Sequence, residues 1–380
     1  VGIFIAYWVG FGLSYINNGD SVIRWRLGLG LQLFFPIIMI PLMYMMPESP
    51  RWLLKQGRHE DALRVIAVLR GDGNPDHPDV KREYVDVLKT LEMDKELQHY
   101  NSYWAIITDY KRDGLHLGRR AWLAFGIQIL IEVGTGTSLT TIYAPTIFKQ
   151  AGFGVYKAGW LSGLNATMGV LGTMAAVYTC DRFGRRPMLI TGAAAMGTCM
   201  WIFAGVSKAA IDQPQHQAVY GAVATAMILI FTFCLCAFWI IIAFIYAAEI
   251  FPTPLRAKGN GFLVLGWGVG FGSGVLWCPI VVDKLGYKIF YIFGVLNYVW
   301  IAVVWLFFPE TAGRSLESID LLFRSNSWLV YQNERELPER LRQHEAEIAA
   351  ALAQFEQTGH IEADSEKSIS HQEEKMDVKV

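Results

Sequence analysis

The strongest constraint on this chain is its succession of long apolar runs. About eight are visible: roughly Val1–Ile16, Leu27–Met46, Trp122–Phe148, Gly159–Cys180, Met188–Val206, Val219–Ala247, Phe262–Val282 and Ile289–Phe308. A helix crossing a bilayer takes about 20 residues. In hydrocarbon the backbone must satisfy its own hydrogen bonds, so each run predicts a helix. The glycine in these runs is high for soluble helices and ordinary for membrane bundles. Only 18% of residues are charged, where soluble domains carry about a quarter. Those charges are crowded into residues 47–120 and 310–380. The expected fold is therefore an all-α membrane protein with about eight spans. The first run is slightly short and opens on Val1 without an initiator methionine, so the chain is expected to begin inside a longer protein.

Positive charge marks the cytoplasmic side of a membrane protein. Lysine and arginine are dense between Arg51 and Arg120, and recur in "DRFGRRP" (residues 181–187) and "PTPLRAKG" (residues 252–259). With alternating helices these segments share one face with the C-terminus, which predicts a cytoplasmic tail. Within residues 47–120, "HEDALRVIAVLRG" predicts an amphipathic helix that buries Ala62, Val65, Ile66, Val68 and Leu69 and stops at Gly71. The five cysteines lie within apolar runs, without metal spacing, and read as small buried residues. No phosphate-cradling glycine loop, nucleophile elbow or zinc spacing is present. An enzyme, a cofactor, a metal site and a nucleic-acid partner are accordingly not expected.

A weak internal repeat is visible. One run ends in "PESPRW" (47–52) and the last in "PETAGRS" (309–315). Two halves built alike, with a site between them near the midplane, are a transporter signature.

Five segments, "PESPRWLLKQGR", "IYAPTIF", "DRFGRRP", "AAEIFPTPLRAKGNG" and "PETAGRSLESID", occur in order at the ends of the predicted helices. Together they resemble the sugar porters of the major facilitator superfamily, with a fungal flavour, over residues 1 to about 320. The resemblance implies the twelve-helix fold of that family, of which this chain would keep helices five to twelve. Residues 1–46 would be the remnant of the first bundle, 47–120 a cytoplasmic helical domain, 121–309 the second six-helix bundle and 310–380 a cytoplasmic tail, disordered at its end. It also implies alternating access without covalent chemistry, a sugar or polyol substrate, possible proton coupling and residence in the plasma membrane.

From the same resemblance, Glu48, Arg51, Asp181, Arg185, Arg186, Glu249, Arg256 and Glu310 would form a cytoplasmic gate whose ion pairs part as the halves rock. Glu249 and Arg256 are seven residues apart, which reads as two helical turns. A role in topology and loop solvation alone is the other reading of these charges.

The candidate pocket centres on "QILIEVGTGTSLTTIYAP" (128–145). Aligned through "IYAPTIF", Glu132 and Val133 stand where the family carries two glutamines, and Ser138 where it carries an asparagine. Ile240, Ile241 and Phe244 replace a Gly-Pro-x-x-Trp pattern, so Phe244 keeps an aromatic wall without an indole N–H, and Trp267 lies near a family polar-aromatic pair. The substrate-binding candidates are Gln128, Glu132, Thr135, Ser138, Tyr143, Phe244 and Trp267. A hexose needs many convergent partners, since burying a hydroxyl unpaired costs about 1–3 kcal/mol. Gly134 and Gly136 can let the helix break and present backbone groups. An ionisable group within a span is a functional hypothesis by default. Glu132 has three open readings: an acceptor for substrate hydroxyls, a proton-coupling or cation-recognising carboxylate, or a structural group bonded to Gln128 or other helix neighbours.

Other readings of the whole chain are a carrier of a non-hexose solute (a polyol, a glycoside or an organic acid such as quinate), a non-transporting sugar sensor, and an inactive fragment. The tail predicts a polar helix followed by about 20 disordered residues.

Overall fold

A computed structural model describes residues 1–16, 22–71, 73–96, 102–108, 116–150, 153–325, 327–346 and 350. All regular structure among them is helical. The chain forms two compact units, Val1–Gly313 and Arg314–Val380.

The first unit opens with α1 (Gly2–Leu13), α2 (Val22–Gly30) and α3 (Phe34–Met45). Four helices outside the long apolar runs follow: α4 (Pro50–Lys55), α5 (His59–Arg70), α6 (Pro78–Glu96) and α7 (Tyr103–Thr108). Ser49 caps α4 by accepting from the Trp52 N–H, and Pro50 takes the first turn, where no N–H is needed. Glu60 and Asp61 lie in the first turn of α5 and Arg70 in its last, matching the helix dipole, and Gly71 ends it. Ala62, Ile66 and Ala67 face inward, against Leu53, Leu54 and Val80. Val68 and Leu69 are exposed, so the expected five-residue stripe is narrower and rotated. The burying partners are α4 and α6, which meet only one side of α5.

The remaining helices of the unit are α8 (Leu117–Ile129), α9 (Thr137–Ile142), α10 (Ala144–Gln150), α11 (Val155–Phe183), α12 (Arg185–Asp212), α13 (Gln217–Leu235), α14 (Ile241–Ile250), α15 (Arg256–Leu285) and α16 (Lys288–Phe307). α12 packs along α13 and α16, α15 along α8, and α11 along α13 and α1. Small residues line these seams, as membrane bundles require for close approach.

Among the described residues, five helical stretches are long and apolar enough to cross a membrane: Trp25–Met45, Arg185–Asp212, Pro214–Ile250, Thr253–Leu285 and Lys288–Phe307. The other three of the eight predicted runs differ for identifiable reasons. Helix α1 has 12 residues. The run 122–148 is interrupted between α8 and α10. α11 is 29 residues long, but glycine, threonine and Asn165 dilute its apolar character. The Trp25–Met45 stretch has none of its apolar window buried within the chain, the surface a lipid or a further helix would cover.

The second unit contains α17 (Leu316–Phe323) and a helical segment over 330–346. Ser315 caps α17 by accepting from the Ser318 N–H. Arg340 reaches the Leu321 carbonyl at 3.2 Å and Glu336 at 2.6 Å, and Arg314 pairs with Glu334 at 3.5 Å. The expected disordered end of the tail lies outside the described residues.

Candidate functional site

The centre of the long apolar run 122–148 is not an ordinary helix. α8 passes into a π-helical turn, Leu130–Gly134, then breaks at Thr135–Gly136 before α9 resumes. Gly136 has φ 87°, a left-handed conformation that glycine adopts without a Cβ penalty. A wide turn followed by a break frees backbone groups, and polar side chains gather there to meet them. The Thr135 hydroxyl donates to the Ile131 carbonyl at 2.6 Å and lies 2.7 Å from the Thr137 hydroxyl. Thr140 donates back to the Gly136 and Thr137 carbonyls. Asn297, on α16, donates to the Thr135 carbonyl at 3.3 Å and to Phe293 of its own helix at 2.8 Å.

Glu132 lies in the π turn and is only 4% exposed. Ser138 donates to its Oε2 at 3.1 Å across the break. No ion pair forms on Glu132 among the described residues. Its backing is α15, where a Cβ added to Gly270 would lie 2.8 Å from the Glu132 Cβ, and one added to Gly274 would lie 2.8 Å from the Ser138 Cβ. The two glycines let α15 press directly on this pair. Gln128 is also buried; of the two kinds of partner the structural reading allowed, Gln128 or another helix neighbour, the hydrogen bond comes from Ser138.

Tyr143 donates to the Val275 carbonyl at 3.3 Å. Phe244 and Trp267 are 47% and 46% exposed, and Trp267 stacks on Phe271 at 5.7 Å. These two aromatics present open faces, while Gln128, Glu132, Thr135 and Ser138 are enclosed. A second π turn, Cys236–Ile240, joins α13 to α14 just before Phe244. There Trp239 is fully buried and donates to the Leu189 carbonyl at 2.9 Å, so its indole is a packing and anchoring group.

A second polar cluster sits where α11, α12, α14 and the segment after α16 meet. Arg185 pairs with Glu249 at 2.7 Å and Asp181 at 3.4 Å, and donates to the Cys180 carbonyl at 3.1 Å. Glu249 also accepts from the Thr311 hydroxyl at 2.6 Å. The Glu310 carboxylate accepts four backbone N–H groups, from Arg185, Arg186, Thr311 and Ala312, at 2.9–3.0 Å. It thus caps the N-terminus of α12, where a negative charge meets free amides and the helix dipole. Gly184 makes this possible: it has φ 84°, and an added Cβ would lie 2.8 Å from Glu310 Oε2. The Arg186 guanidinium reaches the Trp305 carbonyl.

The expected gate residues divide. Asp181, Arg185, Arg186, Glu249 and Glu310 come together. Arg256 does not join Glu249. The helix carrying Glu249 ends at Ile250, the backbone is extended at Phe251, and Arg256 begins α15, so the two-turn spacing does not apply. Pro252 forces this exit, because the residue before a proline avoids the helical region. Glu48 lies exposed between α3 and α4 and makes no ion pair among the described residues. Arg51 is exposed on α4.

Thr311 and Asn297 also join these clusters, beyond the residues that the sequence motifs single out. Asn297 had a signal: it is a lone amide within the apolar run of α16. Thr311 had none beyond its place in "PETAGRS".

The family profile described as "Sugar (and other) transporter" matches residues 1–323. Sugar transporter STL1 of Saccharomyces cerevisiae is 30% identical over 324 residues, covering 85% of this chain and 54% of STL1. MFS-type transporter criB of Aspergillus cristatus is 28% identical over 323 residues, covering 85% of this chain and 63% of criB. The chain therefore spans little more than half the length of these relatives. Among solved structures, the major facilitator proton:xylose symporter XylE bound to 6-bromo-6-deoxy-D-glucose superposes with a TM-score of 0.63 at 21% identity, over 84% of this chain and 64% of that one. This likeness concerns the fold. With the profile running through 323 of its 380 residues, the chain is a multi-pass membrane protein that belongs to the sugar transporter family of the major facilitator superfamily, a family of transporters rather than enzymes.

Proposed function

We propose that this chain forms part of a secondary transporter that carries a small polyhydroxylated solute, a sugar or a polyol, through the plasma membrane by alternating access. The observation that carries this reading is the broken helix within a sugar-transporter fold, with a buried carboxylate and hydroxyls clustered at the break. Broken helices at a midplane site present backbone and side-chain groups that a polar solute can use. In this reading Gln128, Glu132, Thr135, Ser138 and Tyr143 line the substrate path, with Phe244 and Trp267 as open aromatic faces. Glu132 accepts hydrogen bonds from solute hydroxyls. Residues 1–46 belong to one bundle and 121–309 to the other, with 47–120 and the tail from 310 on the cytoplasmic side. Asp181, Arg185, Arg186, Glu249 and Glu310 form the second bundle's part of the gate, and Glu48, Arg51 and Arg256 meet them in the closed state.

A non-hexose solute is favoured by one specific feature. Glu132 and Ser138 bond to each other, and a pocket with few free amides suits a smaller polyol better than a hexose. XylE is a proton:xylose symporter, which supports a proton as the second passenger.

The test is radiolabelled uptake by the protein expressed from its whole gene, in cells without their own sugar carriers. Hexoses, pentoses, disaccharides, polyols and quinate are offered at two pH values. Saturable uptake of a sugar or polyol supports the reading, and faster uptake at the lower pH supports proton coupling. Uptake of quinate alone, or of nothing at verified surface expression, overturns it.

A further inference from the structure

The broken helix contains a carbonyl that its own backbone cannot serve. In a regular helix the Thr141 carbonyl would accept from the N–H of residue 145. Residue 145 is proline and has no N–H. It occupies the first turn of α10, where a missing donor does not harm α10 itself. The cost falls on the last turn of α9. A carbonyl left bare in a low-dielectric interior is expensive.

The structure supplies a donor from elsewhere. The Tyr7 hydroxyl, on α1, donates to the Thr141 carbonyl at 2.5 Å, across 134 residues of sequence. The preceding carbonyl, Thr140, receives the Asn165 amide of α11 at 3.5 Å. α1 is held at this level independently of Tyr7, because the Trp8 indole donates to the Thr167 hydroxyl of α11 at 3.2 Å. Tyr7 therefore adds one directed bond to a helix that is already seated.

We infer that Tyr7 is a positioning residue for the broken helix: its hydroxyl takes the place of the backbone donor that Pro145 lacks. This fixes α9 and the start of α10, and hence the Glu132–Ser138 break behind them, to α1. The inference deepens the transport reading above, on which α1 belongs to one bundle and α9 to the other. Parting of the bundles at this level would strip the Thr141 carbonyl of its donor. The geometry of the break is then coupled to the separation of the halves.

The two residues named here make the test self-controlled. Tyr7→Phe removes only the hydroxyl. Pro145→Ala restores an N–H one helical turn after Thr141. Hydrogen–deuterium exchange is read over residues 137–147 in the full-length carrier, as wild type, both single variants and the double variant. One net hydrogen bond is worth about a factor of ten in an opening equilibrium. Tyr7→Phe is expected to speed exchange of this segment about tenfold in the wild-type background and less than about twofold when Pro145 is already alanine. Exchange over α12, which Tyr7 does not touch, is expected to stay unchanged. An equal increment in both backgrounds, or none in either, overturns the inference. Uptake kinetics supply the functional arm: Tyr7→Phe should raise the half-saturation concentration, with Pro145→Ala restoring it. Exchange does not depend on uptake, so a carrier with no sugar or polyol uptake would refute the transport reading and leave the exchange result to decide this one.

Discussion

The two polar clusters of this membrane protein use carboxylates in opposite ways. At the start of α12, Glu310 accepts four backbone N–H groups, and Glu249 is held by Arg185 and Thr311. At the break between α8 and α9, Glu132 has the Ser138 hydroxyl as its hydrogen-bond donor, without a cation among the described residues. A carboxylate ringed by donors is finished as a piece of architecture, and it holds two helices and a loop in register. One with a single neutral donor, buried in a low-dielectric interior, retains acceptor capacity that a solute hydroxyl can use. On the transport reading proposed above, the degree of satisfaction separates the part that keeps its shape from the part that would receive a passenger.

That contrast can be broken at either end, and the largest effects belong to the satisfied cluster. Arg185→Ala leaves Glu249 without its cation. Breaking a fully buried pair costs about 3–5 kcal/mol. Here the side chains keep 11% and 25% of their surface, so solvent screening reduces the expected loss to about 2–3 kcal/mol. Thermal unfolding of the purified carrier measures it, and a change below about 0.5 kcal/mol would show that the pair is ornamental. Gly184→Ala places a Cβ at φ 84° against the Glu310 carboxylate, with an expected loss of about 1–3 kcal/mol in the same assay. Asn297→Ala removes the amide that steadies the Thr135 carbonyl. Its expected cost is about 1–2 kcal/mol, accompanied by faster amide exchange around the break.

Smallest in stability, and sharpest for the comparison, is Glu132→Gln. The amide is isosteric and can still accept from Ser138, so unfolding should move by less than about 0.5 kcal/mol. Uptake should fall about tenfold, the difference between a charged and a neutral acceptor for one solute hydroxyl. A stability loss as large as that of Arg185→Ala would place Glu132 with the architectural carboxylates.

Much of this arrangement is legible in the sequence because it rests on short-range chemistry. The all-helical membrane fold follows from apolar runs that admit no other backbone solution. Gly134 and Gly136, beside a lone carboxylate, mark the break in the sequence itself. Asp181, Arg185 and Arg186 flank one tight turn at Gly184, with Asp181 in the last turn of α11 and the arginines opening α12. What escapes is whatever depends on the path of the chain between elements. Spacing puts Glu249 and Arg256 on one helix, but Pro252 ends it between them. Periodicity puts Val68 and Leu69 on the inner face of α5, but its partners cover only the other side. The run through Glu132 reads as regular helix, but it passes through a π turn there. The Arg185 and Arg186 amides on Glu310 and the Tyr7–Thr141 bond join residues more than a hundred positions apart, and no local pattern announces them.

The most direct measurement is solute-dependent thermal stabilisation of the purified carrier, using the best substrate from the uptake panel, in wild type, Glu132→Gln and Glu249→Gln. A ligand that binds the folded state raises stability by about 2.7 kcal/mol at a hundred times its dissociation constant. The expected result is that Glu249→Gln starts from a lower unfolding temperature yet keeps the full solute-induced rise, while Glu132→Gln starts near wild type and loses about half of it. The reverse pattern, with the rise intact in Glu132→Gln and lost in Glu249→Gln, would contradict the division between a carboxylate that builds the carrier and one that meets its solute.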